Sequence, residues 1–152
     1  QRTCLCVGPR QSAPPASPFS DASVLLPIFD RNPVMSTFDH TGLMHNINES
    51  LASFRKAQPE AMRGFSQLAQ ASMAEGALSA KHKELIALAI GVSQHCSGCI
   101  GFHVKALVKL GATRAELEEM LAVSVYMGGG PSLMYAAEAL KAWDILAQGG
   151  SA

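Results

Sequence analysis

The sequence has no net charge and no long apolar run, and these absences exclude several classes of protein. Twelve basic and twelve acidic side chains balance over 152 residues, so no basic surface indicates a nucleic acid or an anionic membrane as partner. No segment reaches the roughly 18 uninterrupted apolar residues that a transmembrane helix requires. Four cysteines are too few and too clustered for a secreted fold held by disulfides. We therefore expect a cytoplasmic protein that binds neither nucleic acid nor membrane.

The low proportion of charged residues is itself informative. They make up 16% of the chain, whereas hydrophobic residues make up 48%. This balance is unusual for a solvated monomer, and it suggests that additional surface is buried between subunits. At this length we expect one domain with a substantial core.

The first 45 residues differ from the remainder of the chain. Six of the eight prolines lie within residues 1–40, and the segment from Pro9 to Ser23 has neither helical nor strand periodicity. We expect residues 1–45 to form a disordered extension, with Met35 as a plausible natural start and residues 1–34 as upstream sequence. Cys4 and Cys6 lie here and indicate no clear chemistry.

Residues 46–152 have the apolar spacing of helices, and no stretch alternates as a strand does. We expect an all-α domain of about six helices. The first spans the segment around residues 47–57, and the sixth runs from Ser132 to about Ala147. The expected boundary residues are Pro59 opening the second helix, Ser79 capping the third, Ser97 capping the fourth, Gly111 ending it, a Thr113–Glu116 capping box for the fifth and a break at Gly128 to Pro131.

The candidate site is a C-x-x-C motif at the predicted start of the fourth helix. A thiol in the first helical turn has its anion stabilised by unpaired N–H groups and the helix dipole. Cys99 and His103 are four residues apart on one helix, so an imidazole lies beside the thiol and can accept its proton. Cys96 is close enough to form a disulfide with Cys99, and Gly98 leaves access between them.

Glu84 is the acidic residue expected to complete the site. If the chain turns near His95, the third and fourth helices form an antiparallel pair. Glu84 lies about eleven residues before that turn and His103 about eight after it, an axial mismatch on the order of 5 Å. We therefore expect Glu84 to orient His103 and to accept its proton.

Other interpretations of these residues stay open. Glu84 is also compatible with a solvated position near a helix start, and His103 with an ordinary surface or core histidine. The cysteine pair is also compatible with half of a zinc site. Cys96, Cys99 and His103 then supply three ligands, with Glu84 or His95 as a fourth. His95 adjoins Cys96 and is a candidate for influencing the thiols.

Glu84, Cys96-Ser-Gly-Cys99 and His103 with the following Lys105-Ala106 resemble the core of the AhpD-like alkylhydroperoxidases, within the carboxymuconolactone decarboxylase superfamily. The similarity covers about residues 46–148. It implies an all-α domain that assembles into trimers or hexamers, with an antiparallel helix pair carrying the C-x-x-C site. Well-studied peroxidase members have a histidine just before the second cysteine, where this chain has Gly98.

The resemblance also implies an activity and a role for each residue. Cys99 is the expected peroxidatic thiol, Cys96 the resolving thiol, and Glu84 with His103 the proton relay. The implied enzyme reduces organic or hydrogen peroxides through a Cys96–Cys99 dithiol/disulfide cycle without metal or other cofactor. A lipoyl group or a thioredoxin-like protein is the implied dithiol reductant. The alternatives are a decarboxylase-type enzyme of the same superfamily and a redox-sensing or binding protein that does not turn over.

Overall fold

The structure of the protein is a computed structural model that describes residues 39–149. All regular secondary structure in this part of the chain is helical, and the described residues contain no strand. Its helices are α1 (His40–Ala57), α2 (Pro59–Met73), α3 (Ala80–Ser93), α4 (Ser97–Lys109) and α5 (Arg114–Gly149). The all-α class is therefore confirmed, whereas the described residues form five helices and not six.

The first helix begins earlier than the sequence pattern predicted. Asp39 caps α1, because its side-chain oxygen accepts a hydrogen bond from the N–H of Gly42 at 3.0 Å. Residues 40–45 were predicted to belong to the disordered extension, but they are helical and include the buried His40 and Met44. The predicted disorder of the preceding residues lies outside the described part of the chain.

Most of the predicted helix ends are confirmed. Pro59 occupies the first turn of α2, and the Ser79 side chain accepts from the N–H of His82. Thr113 and Glu116 form the predicted capping box, with hydrogen bonds of 3.2 Å from Glu116 N to Thr113 Oγ1 and 2.7 Å from Thr113 N to Glu116 Oε2. These contacts fix the ends of α3 and α5, on which the site depends.

The predicted cap of α4 is wrong. Ser97 is already the first helical residue, and Cys96 is the N-cap, whose sulfur accepts from the N–H of Cys99 at 3.3 Å. A serine is the stronger capping residue by intrinsic preference. The geometry of the C-x-x-C motif brings the Cys96 sulfur to that position instead.

The predicted break between the fifth and sixth helices is confirmed within α5, because the helical geometry is interrupted at Gly129. Its φ of 66° and ψ of −153° belong to a region that is essentially restricted to glycine. The arms on either side, residues 114–128 and 130–149, turn back on each other. Arg114 pairs with Asp144 across them, and both residues are fifteen positions from Gly129. Helix α5 is thus a helical hairpin with one glycine at its bend.

The core lies where α3, α4 and both arms of α5 meet. Its buried side chains are Leu88, Val92, Ile100, Val104, Leu107, Leu117, Leu121, Ala136, Ala139, Ala142 and Trp143. Helix α2, by contrast, buries no residue, and its Phe65 and Leu68 are each 65% exposed. Within residues 39–149, no helix is both long enough and apolar enough to cross a membrane. The core therefore surrounds α4, the helix that carries the second cysteine and His103.

Candidate functional site

Helices α3 and α4 pack against each other through a close approach at Gly91. A Cβ placed on Gly91 would lie 3.2 Å from the Cβ of Cys99. Farther from the connecting turn, Glu84 of α3 contacts His103 of α4. The end of α3 thus contacts the start of α4, and the start of α3 contacts the later part of α4. The two helices run in opposite directions, and glycine at position 91 gives the cysteine room.

The two cysteines are joined by a disulfide within one helical turn. Cys96 and Cys99 are bonded through their sulfur atoms, and their Cα atoms are 5.2 Å apart. Both side chains are partly buried. The Cys96 sulfur also receives the backbone N–H of Cys99 at 3.3 Å. An N–H donor of this kind stabilises a thiolate when the bond is reduced.

The predicted contact between Glu84 and His103 is confirmed. Glu84 Oε2 and His103 Nδ1 are 2.7 Å apart, and the two side chains are 16% and 32% exposed, respectively. When the carboxylate is ionised it accepts from Nδ1–H, so the neutral ring keeps its lone pair on Nε2. The pair therefore holds one tautomer, and it leaves Nε2 as the basic nitrogen, on the helix that also carries Cys99.

Helix α1 covers the side of α4 next to the disulfide. A Cβ on Gly98 would approach Ile47 Cδ1 to 2.8 Å, and one on Gly101 would approach Met44 Cγ to 3.1 Å. Two glycines three residues apart thus let α1 lie close against α4. The family resemblance leads one to expect a histidine at position 98. This chain has Gly98 there, and Ile47 occupies the space that a side chain would take.

His95 and Tyr135 form a contact that the sequence did not predict. Their rings are stacked with centroids 4.7 Å apart and planes inclined by 20°. His95 adjoins Cys96, whereas Tyr135 comes from the second arm of α5, forty residues later. Proximity to the C-x-x-C motif was the one signal in the sequence, and it gave no indication of the tyrosine.

A second histidine–carboxylate pair lies between α1 and α5. The fully buried His40 has its Nε2 atom 3.6 Å from Glu138 Oε1. Burial lowers the pKa of His40 below its usual 6.5, although the charges of Glu138 and Asp39 oppose this effect. His40 is therefore neutral at pH 7. This pair joins two helices and includes no cysteine.

Three ion pairs involve residues of α5: Lys81–Glu116, Arg114–Glu118 and Arg114–Asp144. Lys81 Nζ lies 2.6 Å from Glu116 Oε1, and together with the backbone of Thr113 this lysine lowers the pKa of Glu116 to about 2. Glu118 and Asp144 raise the pKa of Arg114. All three pairs lie away from the disulfide in sequence and belong to the scaffold.

The predicted alternative of a zinc site finds no support in this part of the chain. Among residues 39–149, no group of three or more histidine, cysteine or acidic side chains is arranged to hold a metal ion. A disulfide sulfur also lacks the thiolate charge that zinc requires.

The fold and the site together define an all-helical domain with a cysteine pair at one helix start and a histidine–carboxylate pair beside it. The family model for the carboxymuconolactone decarboxylase family matches residues 59–142. The chain belongs to this family, which confirms the predicted family membership.

One solved structure of the same family and two uncharacterised proteins are similar to this chain. A crystal structure of an apo carboxymuconolactone decarboxylase family protein from Legionella pneumophila is 57% identical, with a TM-score of 0.70 over 71% of this chain and 96% of that one. An uncharacterised protein of Cupriavidus necator is 40% identical over 110 residues, 72% of this chain and 97% of its own. An uncharacterised protein from the cox locus of Paracoccus denitrificans is 31% identical over 101 residues, 66% of this chain and 91% of its own.

Proposed function

We propose that the protein is a thiol-dependent peroxidase that reduces organic or hydrogen peroxides through a Cys96–Cys99 dithiol/disulfide cycle. The observation that supports this most directly is the 2.7 Å contact between Glu84 and His103, on the helices that also hold the disulfide. A structural disulfide needs no acid–imidazole pair next to it. A thiol that acts as a nucleophile benefits from such a pair, because the imidazole accepts the thiol proton and later returns it to the leaving group.

The chemistry begins at Cys99, one helical turn before His103. The imidazole accepts the thiol proton, and the Cys99 thiolate attacks the outer oxygen of the peroxide. The O–O bond breaks, a sulfenic acid forms on Cys99, and the alkoxide leaves. His103 returns the proton to the alkoxide, so alcohol or water is released. Glu84 stabilises the imidazolium that exists between these two proton transfers.

The second half of the cycle uses Cys96. Its thiolate attacks the sulfenic sulfur of Cys99, the S–S bond forms, and hydroxide leaves and takes up a proton to give water. An external dithiol then attacks the disulfide, and two exchange steps return both cysteines to the thiol form while the dithiol becomes a disulfide. We propose a lipoyl group or a thioredoxin-like protein as that dithiol. Such a cycle suits the reducing cytoplasm.

Steady-state turnover tests this function. Reduced protein is mixed with cumene hydroperoxide and dihydrolipoamide, and loss of peroxide is followed over many equivalents. We expect Cys99→Ser to abolish turnover. The double variant Cys4→Ser/Cys6→Ser should keep the wild-type rate, since these thiols lie outside the predicted domain. Wild-type turnover in Cys99→Ser would contradict the proposal.

The same experiment separates the remaining alternatives. One equivalent of peroxide consumed per subunit, with no further turnover, indicates a redox sensor rather than an enzyme. If neither peroxide loss nor disulfide formation occurs, the decarboxylase-type activity becomes the better assignment. Peptide mass spectrometry after alkylation identifies the oxidised pair, which we expect to be Cys96 and Cys99.

We also propose that the chain self-associates into trimers or hexamers. Large apolar side chains near the bend of α5 are exposed, among them Val123 at 62%, Met127 at 74% and Met134 at 53%. Exposed apolar side chains concentrated in this way are typical of a protein interface. Light scattering after size exclusion measures the assembly, and a monomeric mass at micromolar concentration would contradict it.

A further inference from the structure

Helices α3 and α4 end in the same hydrogen-bonded motif, but with different residues at its critical position. At the end of α4, Gly111 N bonds to Val108 O at 3.1 Å and Ala112 N to Leu107 O at 3.0 Å. At the end of α3, the equivalent bonds are His95 N to Val92 O at 3.2 Å and Cys96 N to Gly91 O at 3.0 Å. Both pairs have the pattern of a Schellman motif.

This motif requires a left-handed backbone at one residue. Gly111 adopts it with a φ of 68°, which glycine does without strain. His95 adopts it with a φ of 56°, and it is the one non-glycine residue with positive φ in the described part of the chain. A histidine in this conformation is strained because its Cβ crowds the neighbouring carbonyl. Glycine would build the turn equally well, so the turn alone does not explain the imidazole.

The position of the His95 ring suggests what the imidazole does. It is exposed on one side and stacked on Tyr135, so the second arm of α5 fixes a side chain in the turn. The next residue, Cys96, has its sulfur at the start of α4, where it accepts the N–H of Cys99. The glutamate–histidine pair includes no group from this turn.

We propose that His95 is a positioning residue for the resolving thiol, which favours the reactive form of Cys96 through an imidazole held in place by Tyr135. The proposal rests on the peroxidase function above and extends it. In the resolving step the Cys96 thiolate attacks the sulfenic sulfur of Cys99, the S–S bond forms and hydroxide leaves. When protonated, the imidazole stabilises the Cys96 thiolate; the thiol proton passes to solvent, and the departing hydroxide takes a proton from solvent to give water. His103 thus accepts the proton of Cys99, whereas His95 favours the thiolate of Cys96.

Trapping of the sulfenic acid tests this division. Reduced protein is treated with one equivalent of peroxide in the presence of dimedone, and both the trapped Cys99 and the Cys96–Cys99 disulfide are quantified by peptide mass spectrometry. In His95→Gly and His95→Asn we expect disulfide formation to slow by about tenfold, as the loss of one stabilising charge beside a thiolate would cause. Trapped Cys99 should rise accordingly, whereas the first reaction with peroxide keeps its rate. If His95 only built the turn, glycine and asparagine would replace it without accumulation of sulfenic acid, because both residues adopt the left-handed backbone.

The pH dependence of Cys96 alkylation is an independent measurement that requires no peroxide. Tyr135 is the titratable group packed on the His95 ring, and Cys99, Glu84 and His103 are unchanged in the variants. We expect the midpoint of Cys96 alkylation to move to higher pH in His95→Gly, and to return towards wild type in His95→Arg, which restores a planar cation that can stack. Tyr135→Leu should give the same shift in part.

The variants also exclude misfolding as an explanation. His95→Gly keeps the left-handed turn and relieves its strain, so it should unfold at a temperature within a few degrees of wild type. His45→Asn, which removes a histidine that is 70% exposed on α1, should leave both measurements unchanged. Wild-type resolution and alkylation in both His95→Gly and His95→Asn would overturn the proposal. If wild type itself forms no sulfenic acid, the peroxidase function fails, and the alkylation midpoints still decide the role of His95.

Discussion

Replacing Glu84 with glutamine is the sharpest test of the proton relay. Glutamine keeps the size of the side chain but removes its charge, so His103 loses its ionised partner while the packing between α3 and α4 is preserved. The pair is 2.7 Å apart, and Glu84 is the more buried of the two. A change confined to the charge therefore acts on the imidazole rather than on the fold.

The size of the effect follows from this contact. A hydrogen bond to a charged group contributes about 1.5–3 kcal/mol. Because both side chains are partly exposed, we take the lower part of that range, about 1.5–2 kcal/mol. At about 1.4 kcal/mol per tenfold change, the Cys99 reaction with peroxide should slow by roughly 10- to 30-fold.

Stopped-flow measurement of peroxide reduction, together with alkylation of Cys99 across pH, gives the result. We expect Glu84→Gln to slow the alkylation of Cys99 near neutral pH, since the His103 imidazole loses its charged hydrogen-bond partner. Glu138→Gln is a matched control, because Glu138 also pairs with a histidine in this fold but not beside the disulfide. Equal rates and profiles in wild type and Glu84→Gln would refute the relay.

Three further predictions concern the scaffold. Gly91→Ala places a methyl group 3.2 Å from the Cβ of Cys99. It should therefore lower the free energy of unfolding in urea by about 1–2 kcal/mol and slow the alkylation of Cys99. The control variant Gly64→Ala has no atom within 4 Å of the added methyl group and should raise the free energy of unfolding by about 0.5–1 kcal/mol. Gly129→Ala forces a side chain into a glycine-only conformation and should lower stability by about 1–3 kcal/mol, measured by thermal unfolding. Because burial lowers the pKa of His40, the unfolded chain binds a proton at this site more readily. Stability should therefore fall as pH drops below about 6.5, and urea unfolding of His40→Gln should show a weaker fall.

The part of the site that depends on helical regularity was predictable from sequence. The contact between Glu84 and His103 followed from a constant rise per residue along two helices joined by a short turn. The Thr113–Glu116 box and the glycine stop at Gly111 followed from local hydrogen-bonding preferences. In each case, residues close in sequence or in register decided the geometry.

The remaining features depend on contacts that local preference does not contain. The sulfur of Cys96 replaces Ser97 as a cap because of the geometry around the C-x-x-C motif, and His95 adopts a backbone that sequence rules assign to glycine. The ring of Tyr135, which lies forty residues later in the chain, stacks on the ring of His95. Helix α1 begins at His40 because the side chain of Asp39 caps it, a contact that the sequence analysis did not identify.

The shortness of the ring closed by the disulfide has a consequence for durability. Only three positions separate the two sulfur-bearing residues, so opening the bond restores little freedom to the unfolded chain, about 2 kcal/mol compared with about 3 kcal/mol for a fifteen-residue loop. Neither cysteine belongs to the buried apolar cluster that holds the helices together. The bond that the proposed cycle makes and breaks at every turnover thus lies where its loss weakens the framework least, so the domain could alternate between two oxidation levels without reorganising its interior.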